Sequence, residues 1–435
     1  MGPKRVWLET YGCQMNKAES ESLLLDLARD GWSAADSEED ADLVILNTCS
    51  VRETAEDRVR GRLGHYRSVK RTRRFTLVLT GCMAERLKGA LGEQHPEIDI
   101  VVGTFQKRGI VQAVRQASGG LQQLRADGGE YSFAALHSTG GPRAYVPIMH
   151  GCDNFCSYCI VPYVRGREVS RRPGEILAEI RLLDERGARE VTLLGQNVNS
   201  YLYEGPDGTV SFSTLLAMAA AEARTIRWIR FLTSHPRDLS DSILDVMARD
   251  PRFCRHIHLP LQSGSDRVLA RMNRGYTAGQ YLERVQKIRS ALTEAAITTD
   301  ILIGFPGESD GDFEDTLALM ETVGFDDAFT YYYNPREGTP AFGMAEALPD
   351  ALKLSRLSTV IERQRGIAAR RAAQRLGVKA LVLVEGISKK SPGELLARTE
   401  WDAMVVFPGP TTIIGEFAEV TLQSLSGSTF RAEAI

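Results

Sequence analysis

Apolar strand-like runs alternate with amphipathic helical segments along most of this 435-residue chain. In the first part the apolar runs fall at 6–11, 43–47, 77–80 and 98–102, with helical patterns at 18–29 and 84–91. Strands that are apolar throughout and separated by helices are typical of parallel sheets buried on both faces. The pattern therefore predicts an open α/β domain of about four or five strands over residues 4–118.

The alternation returns after a Gly- and Ser-rich segment at 119–143, which predicts a linker. Six candidate strands follow, at 145–149, 191–194, 226–232, 256–261, 298–303 and 328–333. Helical patterns separate them, at 175–186, 213–222, 240–248, 281–294 and 312–323. Six strands with intervening helices predict an incomplete or full (β/α) barrel over residues 144–370.

The hydrophobic pattern of the sequence changes near the C-terminus. A helix-compatible segment at 350–375 is followed by short alternating runs broken by Gly and Pro. Such runs predict a small β-barrel over residues 371–435. The expected fold class is thus α/β, with an open parallel sheet, a central (β/α) barrel and a small C-terminal β-barrel.

Composition excludes several classes of protein. The hydrophobic fraction of 43% and the charged fraction of 25% are ordinary globular values. A formal net charge of −3 excludes a polycation that coats nucleic acid. No apolar window approaches the ~18 residues of a membrane span. Because the N-terminus also lacks the apolar segment of a signal peptide, we expect a cytoplasmic protein without a membrane partner.

Three of the seven cysteines form a C-x3-C-x2-C run directly after the first strand of the second block, at Cys152, Cys156 and Cys159. Structural zinc sites close with four ligands, and four-cysteine iron–sulfur runs supply a ligand to every iron. Three thiolates would instead hold three irons of a 4Fe-4S cluster and leave the fourth iron open to a small molecule. A structural zinc site or unrelated cysteines are the alternatives.

Three further cysteines, Cys13, Cys49 and Cys82, each follow a strand of the first block. In an open parallel sheet the carboxyl ends of the strands share one edge, where ligand sites gather. A lone cysteine is more often a buried core thiol, but three at equivalent strand ends favour a site. Zinc remains possible, whereas the missing fourth ligand favours a cluster with an open iron. The seventh cysteine, Cys254, lies outside both triplets and is interpreted as a small core side chain.

The C-x3-C-x2-C run, with an aromatic residue (Tyr158) before its last cysteine, resembles the signature of radical S-adenosylmethionine enzymes. Further sequence segments that support a family resemblance are LETYGCQMN, NTCSVRE, VPIMHGCDNFCSYCIVPYVRGREVSR, LLGQNVNSY, HIHLPLQSGS and ILIGFPGE. With the two cysteine triplets, they make nearly the whole chain resemble the radical S-adenosylmethionine methylthiotransferases. The resemblance is strongest to the MiaB branch of that family. The phrase YYYNPREGTPA departs from that branch, which more often has Ser near Asn334.

The resemblance implies two 4Fe-4S clusters and S-adenosylmethionine as cofactors. The cluster on Cys152, Cys156 and Cys159 would generate a 5′-deoxyadenosyl radical, and these cysteines are the expected catalytic residues. The cluster on Cys13, Cys49 and Cys82 would supply or carry the sulfur. The implied substrate is a tRNA anticodon stem-loop carrying N6-isopentenyladenosine, which receives a methylthio group at carbon 2. The implied partner is an electron donor such as flavodoxin, and the expected state is a monomer.

The same resemblance, with position at predicted strand ends, implies a set of cofactor-binding residues. Gln196 and Asn197 match the place where the family contacts the methionine amino group. The remaining candidates for ribose and carboxylate contacts are Ser234, Gln262, Ser263 and Asp300. Polar residues at strand ends are also common helix caps. Arg165 and Arg167 could pair with the cofactor carboxylate or simply cover a surface.

Two basic segments are candidates for contact with RNA phosphates, although a solvated helix face would look the same. Residues 52–74 contain nine Lys or Arg against three acids, and residues 353–379 contain eight against one. Residues 378–435 resemble the TRAM domain, an RNA-binding barrel. Its candidate RNA contacts are Trp401, Phe407, Lys389 and Lys390.

Three other functions compete with this prediction. Two lie within the family: methylthiolation of a ribosomal-protein aspartate, or of threonylcarbamoyl-adenosine in tRNA. The third is a non-catalytic metal-binding RNA scaffold. Two sets of three cysteines argue against the scaffold, because structural metal sites close with four ligands.

Overall fold

The computed structural model describes residues 4–51, 53–117, 122–124, 131–134, 136, 141–206 and 208–435, without the side chains of residues 53, 88, 89, 92 and 123. The chain divides into two compact units. The first comprises Met1–Thr139, Tyr145–Phe155 and Cys159–Arg171, and the second Gly140–Ala144, Cys156–Tyr158 and Arg172–Ile435.

The N-terminal part of the first unit is a parallel sheet with helices on both faces. Its elements are β1 (Arg5–Thr10), α1 (Gln14–Arg29), β2 (Ser33–Ala34), β3 (Leu43–Thr48), α2 (Glu53–Val69), β4 (Thr76–Gly81), α3 (Cys82–Gln94), β5 (Ile100–Val102), α4 (Ile110–Gln116) and β6 (Gln122–Leu124). The strand order is β2-β1-β3-β4-β5-β6, and every described pairing is parallel. The predicted α/β class is confirmed.

Alternate side chains of β3 enter two different cores. Val44 and Leu46 pack with residues of α2 and α3, whereas Leu43 and Ile45 pack with residues of α1 and α4. A strand buried on both faces must be apolar at every position, which is why β3 was recognisable from its sequence. Two strands were not predicted, because β2 has only two residues and β6 is short and polar.

Strand β6 falls within the segment 119–143 that was expected to be a linker, and most of that segment lies outside the described residues. The elements that follow it are β7 (Arg143–Pro147), β8 (Met149–His150), α5 (Val161–Arg165) and β9 (Val169–Ser170). The C-x3-C-x2-C run lies between β8 and α5.

The second unit continues the βα alternation. Its elements are α6 (Pro173–Glu185), β10 (Glu190–Leu194), β11 (Leu202–Gly205), β12 (Gly208–Ser211), α7 (Phe212–Glu222), β13 (Trp228–Phe231), α8 (Asp241–Arg249), β14 (His256–His258), α9 (Asp266–Arg271), α10 (Ala278–Ala291), β15 (Ala296–Ile303), α11 (Asp310–Val323), β16 (Asp327–Tyr332) and α12 (Asp350–Ala373). Strands β10 and β13 pair in parallel, and β14, β15 and β16 form a second parallel sheet. The hairpin β11–β12 was not predicted, because its strands are short and largely polar.

Local sequence signals explain where several of these helices begin. Thr277 and Gln280 form a capping box at the start of α10, and Ser309 and Asp312 form another at the start of α11. Each box satisfies backbone N–H groups that the first helical turn leaves without partners.

The C-terminal region is a closed five-stranded barrel, as predicted. Its strands are β17 (Lys379–Ile387), β18 (Glu394–Thr399), β19 (Met404–Pro408), β20 (Phe417–Ser426) and β21 (Thr429–Ala434), in the order β17-β18-β19-β21-β20. Across the described part of the chain, the helices are too short or too polar to cross a membrane.

Candidate functional site

The three N-terminal cysteines follow three neighbouring strands of the first sheet. Cys49 comes directly after β3, Cys82 directly after β4, and Cys13 lies three residues beyond the end of β1. Strand β3 pairs with both β1 and β4, and Thr48 and Gly81 are partners in register. The structure therefore places Cys49 and Cys82 side by side at the carboxyl edge of the sheet.

Two glycines allow the strand ends to approach one another closely. At Gly12 (φ 110°) an added Cβ would lie 2.5 Å from Cys49 Cβ and 2.9 Å from its sulfur. At Gly81 (φ 98°) it would lie 2.3 Å from the Thr48 carbonyl oxygen. A side chain at either position would force the cysteine-bearing segments apart, so these glycines maintain the close approach.

A buried arginine supplies positive charge to this edge of the sheet. Arg165, on α5, donates to Glu19 at 2.7 Å and to Asn16 at 2.8 Å, and Lys107 also pairs with Glu19. Burial raises the pKa of the Cys82 thiol, while the Arg165 guanidinium acts in the opposite direction. Burial also tends to raise the pKa of Glu19, but Arg165 and Lys107 outweigh it and hold that pKa well below its usual range.

The two arginines proposed to pair with the cofactor carboxylate both form ion pairs with carboxylates of the protein. Arg165 is 2% exposed, so it does not cover a surface. Both of its terminal guanidinium nitrogens donate to the Glu19 carboxylate. Arg167 is exposed and donates to Asp153 at 2.7 and 3.0 Å. The pairing of Arg165 with Glu19 was not visible in the sequence, because these residues are 146 positions apart.

The second cysteine triplet lies in an irregular segment with a strained backbone. The Cys152 backbone N–H donates to the Gly166 carbonyl at 3.1 Å, and the side-chain Nδ2 of Asn154 donates to the Cys152 sulfur at 3.6 Å. Phe155, directly before Cys156, has φ 45°, which is unfavourable for a side chain of this size. Such strain is concentrated at functional sites, where surrounding structure maintains it.

Cys156 is anchored by a different set of contacts in the second unit, whereas Cys152 and Cys159 belong to the first unit. The next residue, Ser157, donates its amide to the Met272 carbonyl at 2.9 Å and its hydroxyl to the Arg271 carbonyl at 2.9 Å. Cys156 is 6% exposed. It accepts a hydrogen bond from Arg274, a residue that sequence reasoning missed.

Several buried polar atoms at the ends of β10 and β13 have no hydrogen-bond partner among the described residues. They belong to Gln196 (Oε1), Asn197 (Oδ1), Asn199 (Nδ2 and Oδ1), Ser234 (Oγ) and His235 (Nε2). A buried polar atom without a partner is costly, so atoms of this kind mark places where a ligand is expected. Burial, with Arg274 and Arg237, lowers the pKa of His235 to about 2, so its imidazole is neutral.

The remaining cofactor candidates have more varied surroundings. Gln262 has φ 72° in an isolated bridge to β15, and Thr233 beside Ser234 has φ 75°. Asp300 Oδ2 lies 3.4 Å from His258 Nε2. The Ser263 hydroxyl lies 3.3 Å from the Thr316 hydroxyl and accepts a hydrogen bond from the backbone N–H of Ser265 at 3.3 Å.

The donor chemistry of both triplets fits iron–sulfur clusters, which are held by thiolates. Across the described ranges, no three side chains of His, Cys, Asp or Glu are grouped so that they could hold a metal ion. The fit therefore rests on the donor type, on the strand-end placement of the first triplet, and on the cation beside each triplet.

Most of the basic residues singled out for RNA phosphates have acidic partners. In the first segment Arg62 pairs with Glu9 and Glu38, Arg67 with Glu97, and Lys70 with Asp99. In the second, Lys353 pairs with Asp350, Arg356 with Glu308 and Asp310, Arg363 and Arg370 with Glu321, and Arg371 and Arg375 with Asp326. These pairings leave fewer charges for phosphates than the sequence suggests.

Two barrel residues proposed for RNA stacking are buried, which corrects that expectation. Trp401 is 8% and Phe407 1% exposed, and both belong to the barrel core. Phe407 lies on β19, whose alternate side chains point inward. Lys389 and Lys390, in the turn between β17 and β18, are exposed. Cys254 is 2% exposed and packs with Trp228, confirming its interpretation as a core side chain.

Comparison with solved structures shows a similar fold. The radical S-adenosylmethionine methyltransferase TsrM from Kitasatospora setae, solved with cobalamin and a 4Fe-4S cluster bound, is similar with a TM-score of 0.57. The match has 13% identity and covers 78% of this chain and 74% of that one. The cobalamin-dependent S-adenosylmethionine radical enzyme OxsB is similar with a TM-score of 0.51 and 11% identity, covering 84% and 56%.

Three protein families match successive parts of the chain. Residues 5–103 match the Uncharacterized protein family UPF0004, residues 146–320 the Radical SAM superfamily and residues 374–435 the TRAM domain.

Relatives of higher identity match over nearly their whole length. A tRNA-2-methylthio-N(6)-dimethylallyladenosine synthase of Treponema denticola is 47% identical, covering 98% of this chain and 99% of the relative. Proteins of the same name from Treponema pallidum and Geobacter metallireducens are 45% and 44% identical, covering 99% and 97% of this chain and 98% and 96% of the relatives. At this identity and coverage, the chain belongs to the family of tRNA-2-methylthio-N(6)-dimethylallyladenosine synthases.

Proposed function

We propose that this chain is a radical S-adenosylmethionine tRNA methylthiotransferase, which adds a methylthio group to carbon 2 of N6-isopentenyladenosine beside the anticodon. The observation that carries the proposal is the near full-length identity with synthases of that name. The same relatives disfavour a protein aspartate or threonylcarbamoyl-adenosine as the substrate.

In this proposal Cys152, Cys156 and Cys159 hold a 4Fe-4S cluster which, when bound, supplies the electron that cleaves S-adenosylmethionine. Gln196, Asn197, Ser234 and His235 bind the cofactor. Their buried polar atoms without partners support this role. Gln262 and Asp300 contact its ribose or carboxylate, and Ser263 supports the same segment.

Cys13, Cys49 and Cys82 hold a second 4Fe-4S cluster that supplies or carries the sulfur. Support comes from their position after neighbouring strands and from Arg165, whose positive charge favours thiolates. A carbon-bound hydrogen on an aromatic ring is not acidic enough for a side-chain base, which is the chemical reason for a radical.

The proposed organisation follows the three family matches. Residues 4–118 form the domain of the second cluster, residues 144–370 the radical domain, and residues 371–435 the RNA-binding barrel. The tRNA anticodon stem-loop is the substrate. A donor such as flavodoxin supplies electrons, and the chain acts as a monomer.

The test reconstitutes full-length protein anaerobically with iron and sulfide and compares it with two triple-alanine variants, one for each cysteine triplet. We expect about eight irons in the wild type and about four in each variant. Loss of Cys152, Cys156 and Cys159 should abolish S-adenosylmethionine cleavage. Loss of Cys13, Cys49 and Cys82 should spare cleavage but block methylthio product on tRNA.

Mass spectrometry of tRNA nucleosides tests the substrate. Product on N6-isopentenyladenosine alone supports the proposal, whereas product on threonylcarbamoyl-adenosine contradicts it. Stoichiometric zinc without cofactor cleavage would instead indicate the non-catalytic scaffold.

A further inference from the structure

Arg274, in the loop after α9, is buried beside a cysteine of the radical site. Its side chain is 5% exposed. Nη1 donates to the Cys156 sulfur at 3.3 Å and lies 3.5 Å from the Tyr158 hydroxyl. Nη2 donates to the Pro260 carbonyl at 2.9 Å, and Nε donates to the Tyr276 hydroxyl at 3.1 Å. These partners are a sulfur and neutral oxygens.

Three other buried arginines among the described residues each pair with a buried carboxylate. The pairs are Arg165 with Glu19 (2.7 Å), Arg230 with Glu190 (2.9 Å) and Arg356 with Glu308 (2.6 Å). Within the described residues, no Asp or Glu forms an ion pair with Arg274. A guanidinium cannot lose its proton in a protein, and burying it without an anion is costly. The environment of Arg274 is therefore incomplete until an anion is present.

We propose that Arg274 is a positioning residue whose anion is the Cys156 thiolate with the cluster it ligates; this inference rests on the proposed function. The Nη1–sulfur contact places the donor directly on a ligand atom. Hydrogen bonds to ligand sulfurs and nearby charge set the reduction potential of iron–sulfur sites. Arg274 thus orients the thiolate and influences the potential of the bound cluster.

The direction in which Arg274 shifts the midpoint potential follows from the positive charge of its guanidinium. One-electron reduction by a donor such as dithionite oxidises the donor by one electron and adds one negative charge beside Arg274. A fixed, poorly solvated cation stabilises that added charge. Arg274 therefore raises the midpoint potential and makes reduction easier.

The experiment uses the full-length chain with Cys13, Cys49 and Cys82 changed to alanine, so that only the radical site contributes a signal. Arg274→Gln and Arg274→Lys are compared with the parent by iron content, midpoint potential from dithionite titration followed by electron paramagnetic resonance, and S-adenosylmethionine cleavage. Arg274→Gln should bind iron, shift the potential to more negative values and cleave about 10–100-fold more slowly. Arg274→Lys should lie between Arg274→Gln and the parent.

The matched control is Arg356→Gln, which breaks a buried arginine pair elsewhere in the second unit. It should lower thermal stability and leave the potential unchanged. A parental potential and cleavage rate in Arg274→Gln would overturn the inference while leaving the proposed function intact. If Arg274→Gln does not fold, Arg274→Met, which also removes the charge, takes its place, and a parental potential in that variant overturns the inference. A parent that neither binds iron nor cleaves the cofactor would overturn the proposed function instead.

Discussion

At the residue scale, Asn16 joins two cysteine-bearing strand ends to a buried arginine. Its Nδ2 donates to the Tyr11 carbonyl at 2.7 Å and to the Thr48 carbonyl at 2.9 Å. Its Oδ1 accepts from Arg165 at 2.8 Å. One side-chain amide thus contacts the backbone just before Cys13 and just before Cys49, and it holds these two segments together.

Asn16→Ala should destabilise the N-terminal cysteine site. Because it leaves buried polar groups without partners, we expect a loss of about 1–3 kcal/mol in the free energy of unfolding. In a background where Cys152, Cys156 and Cys159 are alanine, iron uptake should also fall. Lys17→Ala, at an exposed position of the same helix, is the control. Full iron uptake by folded Asn16→Ala would contradict this role.

His256 makes the stability of the second unit depend on pH. Burial lowers its pKa to about 4, and Nε2 lies 2.8 Å from the Thr298 hydroxyl. Between its ordinary pKa of 6.5 and about 4, the unfolded chain binds a proton that the folded chain does not. The contribution of neutral His256 to the free energy of unfolding is therefore fully present above pH 6.5. It is lost as the pH falls towards 4, by up to about 1.4 kcal/mol per pH unit.

His256→Gln should make this acid-dependent loss shallower, because glutamine does not titrate and can still meet the Thr298 hydroxyl. Urea unfolding of both proteins between about pH 7 and pH 5 measures it. Parallel curves for the two proteins would show that His256 does not contribute.

At the element scale, the turn between β17 and β18 presents two adjacent lysines of the barrel to solvent. Lys389 and Lys390 are exposed there, whereas Trp401 is enclosed in the core with Arg375 over its ring at 4.8 Å. Most basic side chains of helix α12 form ion pairs with acids of the second unit, among them Arg356, Arg370 and Arg371. RNA binding through the barrel is thus expected to be electrostatic at this turn.

Changing Lys389 and Lys390 together to alanine should weaken tRNA binding and flatten its salt dependence. Each lost phosphate contact lowers the slope of log affinity against log salt by about 0.7–0.9. Binding to tRNA at several salt concentrations measures the slope. Arg186→Ala with Arg249→Ala removes two exposed charges from the radical region and should leave the slope unchanged. An unaltered slope in the lysine variant would exclude this turn as a phosphate contact.

At the scale of the whole molecule, the C-terminal barrel is part of the second unit. Leu383 packs with Trp228 and Cys254, and the Trp228 and Phe417 rings lie 4.8 Å apart. Arg230 of β13, paired with Glu190, donates to two carbonyls of the β18–β19 turn at 2.7 and 2.8 Å. Removing the barrel would expose these apolar side chains and leave buried donors without acceptors.

The barrel and the radical region should accordingly unfold together. In a Trp7→Phe, Trp32→Phe background, Trp228 and Trp401 can each be retained alone as a fluorescent probe of one region. Because both lie against the shared contacts, their urea transitions should coincide. Arg230→Ala should lower the free energy of unfolding reported by both probes by about 3–5 kcal/mol, because it leaves the charge of Glu190 only partly compensated. A barrel transition at lower urea would show independent unfolding.

The sequence by itself determined the α/β class, the two cysteine triplets, the strand ends that bear the first triplet, and the C-terminal barrel. These features have local signatures: period, apolar runs and spacing within a few residues. Only the tertiary structure decided that Arg165 pairs with Glu19, 146 positions away, and that Arg274 contacts Cys156, 118 positions away. It also decided that Trp401 is buried. Pairing between distant charged side chains has no periodic trace in the sequence, because it depends on which elements the fold brings together.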